Sequence, residues 1–587
     1  MPCSKGDNGD MLMRIVKELF WTEIGLPDRY HRLAYLQHMF RLSTVCRRWR
    51  QILSPYIEGY LVVRITQNPR PTLYQRLTFA RKQLQQLTSR LAIANRDTAN
   101  LQPKYGRQSS TKIRQSDGTL LAVCSNIHKA QSEKAHTIVL SVDELLLQRN
   151  IDLGLQAIGF KLREWTGART LCLQLEVGAA HAFPTREVHL SHEQTVQMVL
   201  ESAPNVTAFY MVRLPLSQTN AKIALSSAFL KNTQHLQRLE VHPDISCSDI
   251  PPELPMLTSL TLSIETGSTA ARRLPCMAAG SLRKLELYNV DTDLFMKMLE
   301  SNSGAVRFSE LKYLKLSLRT LQFGAADPDP LVADIPVQPK VVPVEFPRLK
   351  SVHIFGYQHR VPTGLFPALA RAPIKDMYIY LGIRDALQLE LDKMGHLRNL
   401  RVFLPQIDAV QPVLDSVFAK PTERLHTLYI YTHMRLEGCL PTSFSLAAMR
   451  NLNLDALIAF EQVRLIITQL PRLVFLKTMV ARDPNTESFF TFAETADRVL
   501  EHIAIVQTHL QVLKLWHYED FCTTDGRLSL RAAMVTGLLA SIPTLVRFRG
   551  RVSARKMRNS LDRVLDSSKI SDCAGHLRTL EICEGYE

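Results

Sequence analysis

The side chains that could do chemistry are scattered through this chain. Ten cysteines are spread over 587 residues, with no C-x-x-C pair and no zinc-ligand spacing. They read as reduced thiols of a cytoplasmic or nuclear protein. Cys46 stands in no Cys/His nucleophile pattern. His189, His192 and Glu193 form one tight His/acid group, at an expected passage from strand to helix, where such groups ordinarily cap or stay solvated. There is no phosphate loop, no G-x-G-x-x-G, no H-E-x-x-H and no G-x-S-x-G. The expectation is a chain without an intrinsic active site, taking no cofactor and no metal, that acts by recognition.

Charge gives a second lead. The formal net charge is +16, from 71 Lys/Arg and 55 Asp/Glu. Residues 70–134 hold twelve Lys/Arg against Asp97, Asp117 and Glu133, so 12 − 3 = +9 of that charge lies there. Such a segment could bind nucleic acid or an acidic partner. Its aromatics, Tyr74, Phe79 and Tyr105, do not interleave with the charges, and no nucleic-acid motif is present. A solvated basic linker is the preferred reading, with nucleic-acid binding through 70–134 as an alternative. No run approaches the roughly 20 apolar residues of a membrane span. Met1–Asp10 is polar and unlike a signal peptide. Asn205-Val206-Thr207 matches a glycosylation acceptor but falls on an expected strand, and is discounted.

Whatever surface does the recognising must be carried by the dominant pattern, L-x-x-L-x-L. It reads Leu236/Leu239/Val241, Leu257/Leu260/Leu262, Leu282/Leu285/Leu287 and Leu311/Leu314/Leu316. The last two positions are two apart and face one side of a strand, while the first sits at the turn before it. Looser copies run from Ala168/Leu171/Leu173 to Leu577/Leu580/Ile582. Over 577 − 168 = 409 residues there are 14 steps, a mean of about 29. Single steps vary from 21 to 38. Between them, Ser191–Ser202, Asp291–Glu300, Arg384–Met394, Ala459–Leu470 and Glu494–Thr508 carry helical spacing. Ser191 with Gln194 predicts a capping box. The Pro-rich stretch 324–347 is an extended loop.

This pattern resembles a leucine-rich repeat, in which each unit adds one parallel strand. The expected fold is α/β: an irregular leucine-rich repeat solenoid over 136–587, a curved parallel sheet with helices on the convex side. His136–Val142 is expected to start the array. Three buried apolar side chains give roughly 5–9 kcal/mol gross. Ordering a unit of this length costs about 1.5 kcal/mol per residue. One unit cannot fold alone, so neighbours must stack.

Upstream, residues 11–57 predict a small all-α module. Leu12, Ile15, Val16, Leu19 and Phe20 share one helix face, and Leu42, Val45, Cys46, Trp49, Ile52 and Leu53 share another. The phrase Leu42-x-x-Val45-Cys46-Arg47-x-Trp49 after an amphipathic helix resembles the closing helix of an F-box, in the degenerate fungal form. An F-box followed by leucine-rich repeats is a common family order. The chain departs from the family opening: no Pro stands beside Leu12, and Leu26-Pro27-Asp28 follows the first helix instead.

The resemblance implies a substrate-recognition adaptor of an SCF-type ubiquitin ligase. Leu12, Ile15, Leu19, Leu42, Val45, Cys46 and Trp49 would dock on the Skp-type adaptor, and the repeats would hold a protein substrate, with a single copy in the complex. The same side chains could instead form the module's own core, leaving a repeat scaffold with no ligase role.

Residues 58–135 join the two parts. Tyr60–Ile65 reads as a short strand, and Leu73 to Ala94 step by 4 and 3 along a heptad seam. That helix either pairs with itself or lies on the start of the solenoid. Gln102–Gly118 reads as a loop.

Overall fold

The computed structural model describes residues 60–68, 109–114, 120–125, 133–143, 146, 148–176, 191–214, 222–225, 234–247, 253–264, 274–290, 306–318, 344–355, 365–380, 391–404, 417, 424–435, 446–480, 489–490, 492–504, 506, 508–516, 528–550, 558, 562 and 575–584. The chain divides into two compact units, Met1–Ala278 and Ala279–Glu587.

In the first unit come β1 (Tyr60–Asn68), β2 (Ser109–Arg114), β3 (Leu120–Ser125) and β4 (Thr137–Asp143). Then follow α1 (Gln148–Ala157), β5 (Thr170–Glu176), α2 (Ser191–Ser202), β6 (Ala208–Leu214), β7 (Lys222–Leu225), β8 (Arg238–Cys247), β9 (Ser259–Ile264) and the one-turn α3 (Leu274–Met277). Strands β1, β4, β5, β6, β8 and β9 pair in parallel, each with the next. Short β7 runs parallel to the later half of β8. On the other side of β1, β3 is antiparallel and β2 is antiparallel to β3.

Two expectations change here. The parallel array begins at β1, where Leu61 lies opposite Ile138, rather than at His136. The expected loop 102–118 contains a strand at Ser109–Arg114, because its Thr111 and Ile113 alternate with polar residues and pair with Val123 and Leu121. The helix α1 covers the leucine side of this sheet. A methyl group built on Gly154 would stand 2.9 Å from Ile65 Cδ1 and 3.3 Å from Val123 Cγ2.

The second unit holds β10 (Lys284–Val290), β11 (Val306–Arg307), β12 (Tyr313–Leu318), β13 (Val344–Glu345), β14 (Ser351–Phe355), α4 (Leu365–Arg371), β15 (Asp376–Tyr380) and β16 (Asn399–Phe403). It continues with β17 (Thr427–Arg435), β18 (Asn451–Ile458), α5 (Phe460–Gln469), β19 (Phe475–Val480), β20 (Phe489–Phe490), α6 (Phe492–His502) and β21 (Val512–Trp516). Last come β22 (Leu528–Ser529), α7 (Leu530–Ala540), β23 (Arg547–Gly550) and β24 (Glu581–Glu584). From β10 to β24 the long strands pair in parallel in chain order. Two small pairs stand apart: β11 with β13, and β20 with β22. The repeat unit of one parallel strand per L-x-x-L-x-L is thus the architecture, as for a leucine-rich repeat solenoid.

The register keeps the leucines in rows. Leu314, Val352, Met377, Leu400, Leu428 and Leu452 lie opposite one another, all buried. The first leucine of each phrase is buried in the preceding turn, as at Leu311, Leu349, Leu397 and Leu473. A fourth apolar position lies three residues earlier, and its carbonyl accepts the N–H of that leucine: Leu311 N–H to Phe308, Leu349 to Phe346, Leu397 to Met394 and Leu473 to Leu470.

A second ladder runs through the turns. In most turns one carbonyl accepts two successive N–H groups from the next unit. Lys312 O takes Lys350 and Ser351, Lys350 O takes Lys375 and Asp376, Lys375 O takes Arg398 and Asn399, and Arg398 O takes His426 and Thr427. The same link recurs at His136, Arg169, Thr207 and Gln237 in the first unit. Backbone groups that a turn would otherwise leave unpaired are satisfied this way.

Other expectations meet the structure as follows. Helices at Ser191–Ser202 and Phe460–Gln469 stand where the spacing predicted them. At the latter, Ala459 N–H donates to Gln462 Oε1 at 3.1 Å. That is half a capping box, since Ala459 has no side-chain acceptor.

The helix expected over 494–508 occupies Phe492–His502. Beyond it, Ala504 N–H donates to Ser541 Oγ at 2.9 Å and Val506 N–H to Ser541 O at 2.9 Å, so these groups serve the end of α7 instead of continuing α6. Of the expected helix 384–394, the described part is a 3-10 turn at Leu391–Lys393. The Pro-rich loop ends earlier than expected, in β13.

The terminal phrase is shifted. Ile582 lies opposite Phe548, while Leu577 and Leu580 fill the turn before β24. Asn205 sits in an exposed turn before β6, not on a strand, and its Nδ2 donates to Thr166 O at 2.8 Å. The helix expected at 291–300 and the heptad segment 73–94 lie outside the described residues.

Candidate functional site: the open sheet face of residues 279–587

Alternation along each strand sends the residues between the leucines to the face opposite the core. On β12 and β14–β16 of the second unit these positions are half-exposed or exposed, and on β18 Asn453 is buried. In the first unit they are covered: Val139, Cys172, Ala208 and Tyr210 form a buried cluster, and Ser141, Gln174 and Thr261 are also buried. A face available for binding is therefore found on β10–β24.

That face is rich in aromatic rings set side by side. His353 lies 5.1 Å from Tyr313 and stacks with Tyr378 at 5.9 Å between centroids. Phe355 meets Tyr378 at 4.9 Å, and Tyr380 stacks on Phe403 at 4.1 Å. Tyr429 and Tyr431 lie 6.2 Å apart between centroids with nearly parallel planes. Distances of this order are attractive between rings.

Cations are threaded through the rings. Lys315 Nζ donates to Tyr288 Oη at 3.0 Å, and stands 4.9 Å from the Tyr288 ring and 5.5 Å from Phe355. Arg401 lies 4.8 Å above Tyr429. Lys477 faces Trp516 at 6.0 Å, and Lys514 faces Phe475 at 5.3 Å. Such cation–ring contacts gain strength as water is excluded.

Among the described residues, four acids share the face. Glu286 is 2.7 Å from Lys284 Nζ, and Glu581 is 2.8 Å from Arg547. Asp376 Oδ1 accepts from Asn399 Nδ2 at 2.5 Å. Asp455 is the fourth, on β18 opposite Tyr431.

The electrostatics follow from this crowding. Burial, helped by Glu286, pushes the Tyr313 phenol up to about 12. Burial lowers the Lys315 ammonium, with Glu286 opposing and Lys284 adding to the effect. Burial also lowers His353, and the positive fields of Lys315 and Arg401 add to that. His353 is thus held neutral, with the cations Lys315 and Arg401 nearby.

Most of the expected site lies elsewhere. Leu12, Ile15, Leu19, Leu42, Val45, Cys46, Trp49 and His189 fall outside the described residues. His192 and Glu193 are in the first turn of α2. Among the described residues, no group of three or more His, Cys, Asp or Glu is placed to hold a metal ion. No helix of the described residues is long and apolar enough to cross a membrane.

The aromatic face was readable in the intervening letters of the repeat phrase: Tyr313-x-Lys315, Tyr378-x-Tyr380, Arg401-x-Phe403, Tyr429-x-Tyr431 and Lys514-x-Trp516.

No family model matches the chain, and no curated protein does. Among solved structures, it is similar to one described as the structure of the Toll–Spatzle complex, a molecular hub in Drosophila development and innate immunity. Identity is 11% and the TM-score 0.29, covering 72% of this chain and 56% of that one. The chain thus spans a little over half the length of that structure, and its repeat architecture is carried by its own strand register.

Proposed function

We propose that this chain is a non-catalytic recognition scaffold, and that it serves as the substrate-recognition adaptor of an SCF-type ubiquitin ligase. The open face of β10–β24 would hold the protein substrate. The observation that supports binding there is the set of ring contacts from Tyr313 to Phe403, with the Tyr429–Tyr431 pair beyond it and Lys315 and Arg401 set among them. Aromatic and cationic side chains clustered on an accessible face are the composition of binding hot spots.

The ligase link rests on sequence. Leu42, Val45, Cys46 and Trp49 resemble the closing helix of an F-box, and Leu12, Ile15 and Leu19 the helix before it. Ubiquitin transfer would be carried out by other subunits.

The test is retention on a Skp-type adaptor, comparing the natural chain with the double variant Val45→Asp plus Trp49→Ala. The expected result is loss of retention, by about tenfold or more for removal of an anchoring aromatic. Equal retention of both removes the ligase role and leaves the scaffold reading.

A further inference from the structure

Three cations of this face, Lys315, Arg401 and Lys477, are equally spaced along one row. Lys315, His353, Tyr378 and Arg401 lie opposite one another in one row, so Lys315 and Arg401 are three strands apart. The row continues through Tyr429 and Asn453 to Lys477, again three strands on. Lys514 and Arg549 follow on the next two strands.

Neighbouring strands lie about 4.8 Å apart, so each interval is roughly 14 Å. An extended polypeptide advances about 3.4 Å per residue and covers that interval in about four residues. Four is even, so side chains four apart point the same way.

From this we infer that the face binds an extended acidic protein segment laid across the strands, with carboxylates at every fourth residue meeting Lys315, Arg401 and Lys477. This deepens the scaffold reading proposed above and rests on it. The residue midway between the first two acids also faces the sheet, over His353 and Tyr378, with Phe355 and Tyr380 beside them. An apolar or aromatic side chain fits there. The third acid meets Lys477, with Lys514 opposite it one strand further. The order in the segment is acid, any, apolar, any, acid, then three residues and a final acid.

Nucleic acid fits less well. A strand carrying a phosphate at every residue would meet Glu286, Asp376 and Asp455 on the same face. Tyr380 and Phe403 already stack on each other, and the Tyr429 ring is covered by Arg401, so ring faces that bases would use are occupied.

Selection of phage-displayed random 16-residue peptides on the full chain tests this. Peptides with acids at i, i+4 and i+8 should be enriched, and the triple variant Lys315→Gln, Arg401→Gln, Lys477→Gln should bind them about tenfold more weakly. A thermal melt matching that of the natural chain shows that the variant is folded. The pair Tyr380→Ala plus Phe403→Ala serves as the second arm.

No enriched peptide, enrichment without that spacing, or equal binding by the triple variant overturns the inference. So does displacement of every selected peptide by a 20-nucleotide oligothymidylate that itself binds the face. Peptides lost from the aromatic pair but kept by the triple variant sink this inference while sparing the protein-binding face. Peptides kept by both sink the face reading as well. The adaptor assay reads positions 45 and 49 and fails independently.

Discussion

His353 shows how a single side chain reports the character of its surroundings. Burial is the main reason its protonation is disfavoured, and Lys315 and Arg401 add repulsion that Glu286 and Asp376 only partly offset. The unfolded chain therefore takes up this proton more readily than the folded one. The neutral ring's contribution is present above the ordinary histidine value of about 6.5 and is lost as pH falls through the lower folded value. Denaturant midpoints measured against pH should fall in that window for the natural chain and fall less for His353→Gln. Equal slopes would mean that His353 is not held neutral. The aromatic and cationic residues are legible letter by letter, since all sit beside the apolar positions of the repeat phrase. What a linear reading lacks is the row register that puts Lys315, His353 and Arg401 on one line.

At the scale of elements, strands were far more legible than their connections. A buried strand position repeats every second residue and is the same in every unit, so Leu428 and Ile430 announce themselves. Helix ends depend on distant partners. Nothing near Thr508 in sequence says that Ser541, 37 positions from Ala504, will take the Ala504 N–H and end α6 early. The stretch Ser109–Arg114 is mostly polar and basic in sequence, and its pairing with β3 is what makes it a strand.

The contact of α1 with the sheet gives a prediction at this scale. Gly154→Ala places a methyl group 2.9 Å from Ile65 Cδ1, and Val123 closes the other side at 3.3 Å. Overpacking should outweigh the gain in helix propensity of up to about 1 kcal/mol and leave a net loss of about 1–2 kcal/mol. Chemical denaturation checks it, and an unchanged or higher midpoint would show that α1 shifts freely on β1.

For the molecule as a whole, each unit is an assembly in which every strand depends on the next. Leu428 is fully buried between Leu400 and Leu452 in its row. Leu428→Ala should cost about 2–5 kcal/mol. In a nearest-neighbour array the damage should spread outward along the stack. Hydrogen exchange should therefore quicken most in β16, β17 and β18, and least at β10 and β24. Uniform acceleration across β10–β24 would instead mean that the array opens all at once.

The shared turn carbonyls have a consequence for how such a chain can diverge. They hold one row of residues to the next whatever the length of the excursion between them, so loops can lengthen without disturbing the face. Gain or loss of a whole coil between β12 and β16 is different. It would move Lys315 and Arg401 apart or together by a single strand width, about 4.8 Å. A segment matched to the old interval would then have an acid out of step or turned away. Partner preference would change in discrete jumps with coil number, while residue-by-residue drift in the loops left it untouched.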